Sequence, residues 1–325
     1  MWRAAGSRPA RLTPGDFLQA AMMRTSRTIA AALAAALVSS GAWASCANPN
    51  ALGTSRVVAV NPRVTPAVGG ADYGVRLPLN RGEVVLTFDD GPNAATTPVI
   101  LRALAQECVH ATFFMVGRQA QAFPQTARQV AAAGHTVGTH SQTHPLGYLH
   151  GERATREIDA GIASVTRALG RSPAPFFRFP GLYRTREAEL YLRRRGIMVW
   201  SVDVDSYDWK HNNTSVMLQS AVSRLAARGG GILLMHDVKQ RTAMVLPKLL
   251  AMLKARGLRV VHVVPGGALH PGMIAAAQQK LQRAAGHPLR PIVVTDNAPD
   301  QPLHAGRRGL ASNSFEAIFR ASIRR

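Results

Sequence analysis

Between residues 84 and 264 the chain alternates short apolar runs with longer stretches whose apolar positions recur every three or four residues. The short runs predict strands over 84–88, 111–115, 136–138, 176–179, 198–202, 231–235 and 259–264. The longer stretches predict helices over 96–107, 124–133, 152–169, 185–195, 215–227 and 243–256, with "GIASVTRAL" and "AVSRLAARG" as core-facing stripes. Strand and helix in regular alternation predict a parallel α/β sheet, open or closed. Ahead of this block, residues 45–83 are broken by Pro and Gly and hold one apolar run, "RVVAV", which predicts an added edge strand. After residue 265 the pattern fades, with one helix expected in "GGALHPGMIAAAQQKLQRAAGHPLRP". Residues 265–325 therefore read as a basic, poorly ordered tail.

The first 44 residues add a compartment. Arg24 and Arg27 precede an apolar run over 29–38, then Ala42, Trp43 and Ala44. These are the three parts of a secretory signal, with cleavage expected after Ala44. The run is too short to span a membrane. Met22 or Met23 would give the signal a more ordinary start. Trp43 argues against lipid attachment at Cys46. The expected organisation is a signal at 1–44, a lead-in at 45–79, a main domain at 80–264 and the tail. The expected location is periplasmic or extracellular, with no stable membrane span after cleavage. Only two cysteines exist, Cys46 and Cys108, and in an oxidising compartment they are expected to pair.

Charge changes the picture less than its size suggests. The formal net charge is +21 over 325 residues. Residues 1–44 carry +4 of it and residues 265–325 carry +5, so the central 220 residues keep +12. The central basic residues are scattered and have no interleaved aromatic row, so no nucleic-acid partner is expected. They read as a solvated basic surface, the alternative being attraction to a polyanionic envelope or an acidic polysaccharide.

Five polar clusters fall at or just after the ends of predicted strands, where barrel enzymes gather chemistry. "TFDDGP" places Asp89 and Asp90 side by side, and alternation along a strand would send them to opposite faces. "HSQTHP" holds His140 and His144, four apart, a spacing that on a helix lets both grip one metal. With Asp90 they would make a two-His, one-carboxylate set, the usual open zinc arrangement. Non-haem iron sites use the same residue types, but the His-x-Asp pairing is absent. "FFRFPG" ends an aromatic strand in Arg178, which suits holding a carboxylate ionised. "DVDSYDWK" crowds Asp203, Asp205 and Asp208 beside Tyr207 and Trp209, as a sugar site would. "LLMHD" puts His236 after an apolar strand, where an Asp partner would tune it as a general acid. Taken singly, each has an ordinary structural explanation: a turn, an exposed His pair, an ion pair, a polar loop, a core histidine.

In order and spacing, "TFDDGP", "HSQTH", "RFP", "DSYDW" and "LLMHD" resemble the five motifs of the polysaccharide deacetylase family. This is the NodB-homology group, carbohydrate esterase family 4, of chitin, chitooligosaccharide, peptidoglycan and acetylxylan deacetylases. The resemblance covers about residues 80–264. It implies a distorted (β/α) barrel with about seven parallel strands. It implies that Asp90, His140 and His144 hold a divalent metal, zinc above cobalt or nickel. By the same resemblance Asp89 is the general base, Arg178 keeps it ionised, His236 is the general acid, and Asp208 orients and charges it. Trp209 and Leu234 would line the acetyl pocket, and the backbone N–H of Gly181 would face the oxyanion. One departure stands out. The family commonly carries an aromatic after the Pro of the third motif, whereas here Gly181 and Leu182 precede Tyr183. Asp203 and Asp205 have no family role. The expected activity is a secreted, metal-dependent removal of acetyl groups from N- or O-acetylated sugars of a polysaccharide. The alternatives are a cyclic-amide hydrolase on the same scaffold and a silent sugar-binding envelope protein.

Overall fold

The computed structural model describes residue 46, residues 48–266 and residues 293–294. The expected signal and its cleavage position, and most of the expected tail, lie outside the described residues. Eleven strands are described: β1 Thr54–Val60, β2 Ala67–Val68, β3 Glu83–Asp89, β4 Thr112–Met115, β5 Thr136–Thr139, β6 Phe176–Phe177, β7 Met198–Trp200, β8 Val204–Asp205, β9 Gly230–His236, β10 Arg259–Pro265 and β11 Val293–Val294. The helices are α1 Thr97–Gln106, α2 Gly117–Ala122, α3 Pro124–Ala132, α4 Gly151–Leu169, α5 Arg186–Arg194, α6 Thr214–Arg228 and α7 Gln240–Ala255. No helix among the described residues is long and apolar enough to cross a membrane.

The local chemistry sets these boundaries. Pro124 opens α3, where its missing N–H costs nothing. Thr185 caps α5 by accepting from the Ala188 N–H, and Asn213 caps α6 by accepting from Ser215 and Val216. Gly170 closes α4 at φ 70°.

Every strand pairing is parallel. The ladder runs β3–β4–β5–β6–β7. The chain then crosses from β7 to β8 within three residues, β8 pairs with β9, and β9 pairs with β3 along all seven residues. The sequence predicts one strand over 198–202. The structure splits it, because Ser201 N still donates to Val68 while Asp203 N already donates to Ile232.

β10 pairs with the first two residues of β3 and carries β1 on its other side, with β11 beyond. The "RVVAV" run is therefore paired on both sides and is not an edge. Residues 293–294 of the expected tail supply the outer partner, and Val-Val is a good strand former.

Period-two alternation sorts the core. Val84, Leu86 and Phe88 pack outward against Ile100 and Leu104 of α1 and residues of α6 and α7. Val85 lies with Phe114, Phe176, Trp200 and Ile232 in a second cluster on the other, inner face of the sheet; among the described residues β7 and β8 do not pair, so the expected barrel is not closed. Thr87 and Asp89 follow Val85 on that inner face. A disulfide joins Cys46 to Cys108, Cα to Cα 5.8 Å, and fastens the chain before β1 to the end of α1.

Candidate active site

The groups singled out by the sequence meet at the C-terminal ends of β3, β5 and β9. Asp89 closes β3, and its carboxylate points inward. Arg178, fully buried beyond the end of β6, donates from Nη1 to Asp89 Oδ1 at 2.7 Å. The same Nη1 donates to Thr87 Oγ1 at 2.9 Å, and Nη2 donates to the Ser201 carbonyl at 3.2 Å. Below it lies the Phe114 ring, 4.3 Å from the guanidinium carbon. Arg178 thus has one orientation. Thr87 escaped the sequence reading, although its place two residues before Asp89 on one strand face was a usable signal.

Asp90 does not point to the opposite face of the strand. The strand ends at Asp89, and Asp90 turns at φ 78°, a left-handed conformation that Asp tolerates better than most residues. That turn brings Asp90 Oδ1 to 3.1 Å from His144 Nε2 and 3.5 Å from His140 Nε2.

The two histidines do not share a helix. His140 follows β5, and His144 sits in a loop shaped by positive φ at Ser141 (61°) and His144 (58°). Glu157 of α4 pins this loop, accepting from Gln142 N, Thr143 N and Thr143 Oγ1. The four-residue spacing works here because the loop curls, not because a helix repeats.

The protonation state of His140 follows from one bond. Its Nδ1 lies 2.7 Å from the Arg178 carbonyl, which can only accept, so Nδ1 carries the proton. Burial lowers this imidazole to about 4, against the pull of Asp89 and Asp90, and keeps it neutral. Nε2 is then a bare lone pair aimed at carboxylate oxygens. Burial works to raise the Asp90 carboxyl, but the imidazoles of His144, His236 and His140 hold it well below the usual range. Ligand-type atoms of Asp90, His140 and His144 lie within 4.8 Å of one another. A tetrahedral ion with bonds of about 2.0–2.1 Å spaces its ligand atoms by about 3.3 Å. The separations of 3.1 and 3.5 Å bracket that edge. The residues fit a small divalent cation.

His236 ends β9 opposite Asp89 in register. Asp208, fully buried, accepts from the His236 backbone N–H at 2.7 Å and lies 2.6 Å from His236 Nδ1. Thr242 of α7 holds the same carboxylate. Burial disfavours the imidazolium, but Asp208, then Asp90 and Asp89, outweigh it and push His236 up to about 10. Nδ1 is spent on Asp208, so Nε2–H is the proton on offer.

Leu234, two residues before His236 and 5 % exposed, shares its inward face. Trp209 is half-buried, and its Nε1 donates to Asp205 Oδ2. Asp205 also accepts from Tyr207 N and so braces this loop. Asp203 lies away from the site, accepting from Gly70 N and Ile232 N. Gly181 sits in a 3-10 turn, Pro180–Leu182, at φ 58°. A side chain there would meet the Tyr183 ring, so Tyr183 covers the place where the missing aromatic would begin.

A further residue, Asp237, follows His236 in "LLMHD" and was given no role by the sequence. It is buried and accepts from Thr97 Oγ1 at 2.6 Å and from the Gly91 N–H. It thereby holds the turn that carries Asp90. Burial and the charges of Asp90 and Asp89 raise its carboxyl to about 7.

Comparison with known proteins gives this geometry relatives. The family model "Polysaccharide deacetylase" matches residues 76–200. A peptidoglycan-N-acetylglucosamine deacetylase of Bacillus cereus is 31% identical over 195 residues, 58% of this chain and 70% of the relative. A chitooligosaccharide deacetylase of Azorhizobium caulinodans is 32% identical over 167 residues, 50% of this chain and 77% of the relative. Among solved structures, the Bdellovibrio bacteriovorus peptidoglycan deacetylase Bd3279 superposes with a TM-score of 0.61 at 29% identity, covering 68% of this chain and 62% of that one.

Proposed function

Because this chain belongs to the polysaccharide deacetylase family and is an enzyme of that family, we propose that it removes acetyl groups from N-acetylated sugars of an exported polysaccharide. Peptidoglycan and chitooligosaccharide are the first substrates to test, since relatives carry those names. One observation supports the site assignment most. The Nδ1 bond of His140 turns its Nε2 lone pair toward Asp90, while Arg178 aims Asp89 at the same space.

Asp90, His140 and His144 would hold a divalent cation, zinc above cobalt or nickel. When bound, it supplies a Lewis acid that polarises the acetyl carbonyl and acidifies water. Asp89 takes the proton of the attacking water on Oδ2, because Oδ1 is occupied by Arg178. Arg178 keeps that carboxylate ionised and in place. The Gly181 N–H faces the developing oxyanion. His236, charged through Asp208, gives its Nε2 proton to the departing amine, and acetate is left. Leu234 and Trp209 enclose the acetyl methyl, and Tyr183 bounds the sugar. The leader-like sequence of residues 1–44 supports a reaction in the periplasm or outside the cell.

Acetate release from peptidoglycan, chitooligosaccharides and acetylxylan, with and without added zinc, tests the reading. Zinc-restored release that Asp89→Asn abolishes supports it and identifies the substrate. Bound zinc with no release from any of the three overturns the sugar assignment and points to small cyclic amides.

A further inference from the structure

At the opposite end of β9 from His236 lies a cavity of about 280 Å³ lined by Arg76, Arg81, Arg228 and the turn Gly229, Gly230 and Gly231. Six residue-to-residue steps of strand separate Gly230 from His236, about 20 Å at ~3.3 Å per step. The cavity is therefore separate from the active site.

Arg76 and Arg228 come together at Gly70, where a Cβ would lie 2.6 Å from Asp203 Oδ1, 3.1 Å from Arg228 Nη2 and 3.9 Å from Arg76 Nε. Arg81 joins them on the cavity wall, and all three arginines are exposed. The acid of the cavity wall is Asp203, and both its oxygens already accept backbone bonds, from Gly70 N at 3.0 Å and Ile232 N at 2.9 Å. Arg228 reaches Asp203 only at 3.8 Å. Among the described residues no carboxylate pairs with Arg76 or Arg81. Gly230 and Gly231 are held to glycine by close packing. Both have positive φ, and a Cβ would strike Glu83 at one and Asp203 at the other.

Three guanidinium groups against one committed carboxylate leave a local charge of two. Holding like charges together without a counter-charge is unfavourable. A carboxylate would neutralise one of them with two oxygens. A phosphate brings up to two charges and three or more acceptors, which suits several guanidinium forks at once. We propose that this cavity binds a phosphate group, free or carried on a polymer.

Calorimetric titration of the full chain with inorganic phosphate, at ionic strength fixed with chloride, tests this. A saturable one-to-one isotherm is expected, weakened at least about tenfold in Arg76→Ala/Arg81→Ala. The control Arg193→Ala/Arg194→Ala removes the same charge from the exposed face of α5 and is expected to bind as the parent does. Thermal midpoints of all three proteins check the fold independently of deacetylation. A parallel titration uses a soluble glycerol-phosphate polymer. Polymer binding displaced by free phosphate assigns the cavity to a polymer-borne group, and phosphate binding with the polymer excluded assigns it to a small molecule. Absence of saturable phosphate binding overturns the proposal. So does equal weakening in the control, which would mean general charge attraction.

Discussion

Strand β3 begins and ends in a carboxylate buried against an arginine, and the two pairs are completed differently. At its start Glu83 is saturated. Arg56 donates to Oε1 at 2.9 Å and to Oε2 at 2.6 Å, and Asn80 adds its backbone and side-chain N–H groups. Burial would raise the Glu83 carboxyl, but these donors hold it below the usual range. At the other end Asp89 gives one oxygen to Arg178, while Oδ2 stands 3.8 Å from His140 Nε2. No hydrogen bond among the described residues reaches that oxygen. The chemistry is the same at both ends. A carboxylate with every acceptor filled locks β1 onto β3, whereas one with an oxygen left over can accept a proton.

The sharpest way to break this contrast is to neutralise each acid. Asp89→Asn is expected to lower acetate release by about 10²–10⁴, the usual scale of a general base, with little change in thermal midpoint. Undiminished release would end the comparison. Glu83→Gln is expected to do the reverse. It leaves Arg56 buried without its counter-charge, a loss of about 3–5 kcal/mol in urea unfolding, with unchanged activity per folded molecule. Removal of divalent metal by a chelator comes next. Activity is expected to vanish, and the midpoint to fall in keeping with about 2.7 kcal/mol of linkage when the ion stands a hundredfold above its dissociation constant. Zinc should restore both.

A smaller effect separates His236 from Asp89. The imidazole stays protonated up to about 10 because of Asp208. The alkaline limb of kcat/KM is therefore expected to move down by more than about one pH unit in Asp208→Asn, since the supporting charge is gone. An unmoved limb would remove His236 as the acid.

The smallest effect belongs to the Glu83 end. There His135 accepts from Ala111 N at 3.1 Å, and His110 lies 5.7 Å from it and 5.3 Å from His262. Burial lowers all three imidazoles, His135 to about 3. Their folded values lie below the unfolded one, so the unfolded chain binds protons first as pH falls. Stability is full above the ordinary histidine value and declines below it. For His135 this amounts to about 1 kcal/mol between pH 7 and pH 5.5. His135→Gln is expected to flatten that slope in denaturation followed across the range.

Much of this was readable from residue order. The apolar runs gave the parallel strands because a strand buried on both faces must be apolar throughout. The five clusters gave the site because each closes a strand or follows one, and parallel strands deliver their C-terminal ends to one face. Other features were silent in the sequence. The positive φ of Asp90, the curled His140–His144 loop and its anchor Glu157 depend on contacts between segments far apart in the chain. Asp203 and Asp237 looked like members of the catalytic clusters or mere neighbours of them. Only packing revealed that one holds Gly70 and the start of β9 and the other the turn that carries Asp90. Sequence by itself determined which side chains could do chemistry and the end of the sheet where they would gather, since both follow from residue type and local period. Tertiary structure decided which oxygen of each acid is spent and which is free, because hydrogen-bond saturation is set by neighbours that only folding brings together.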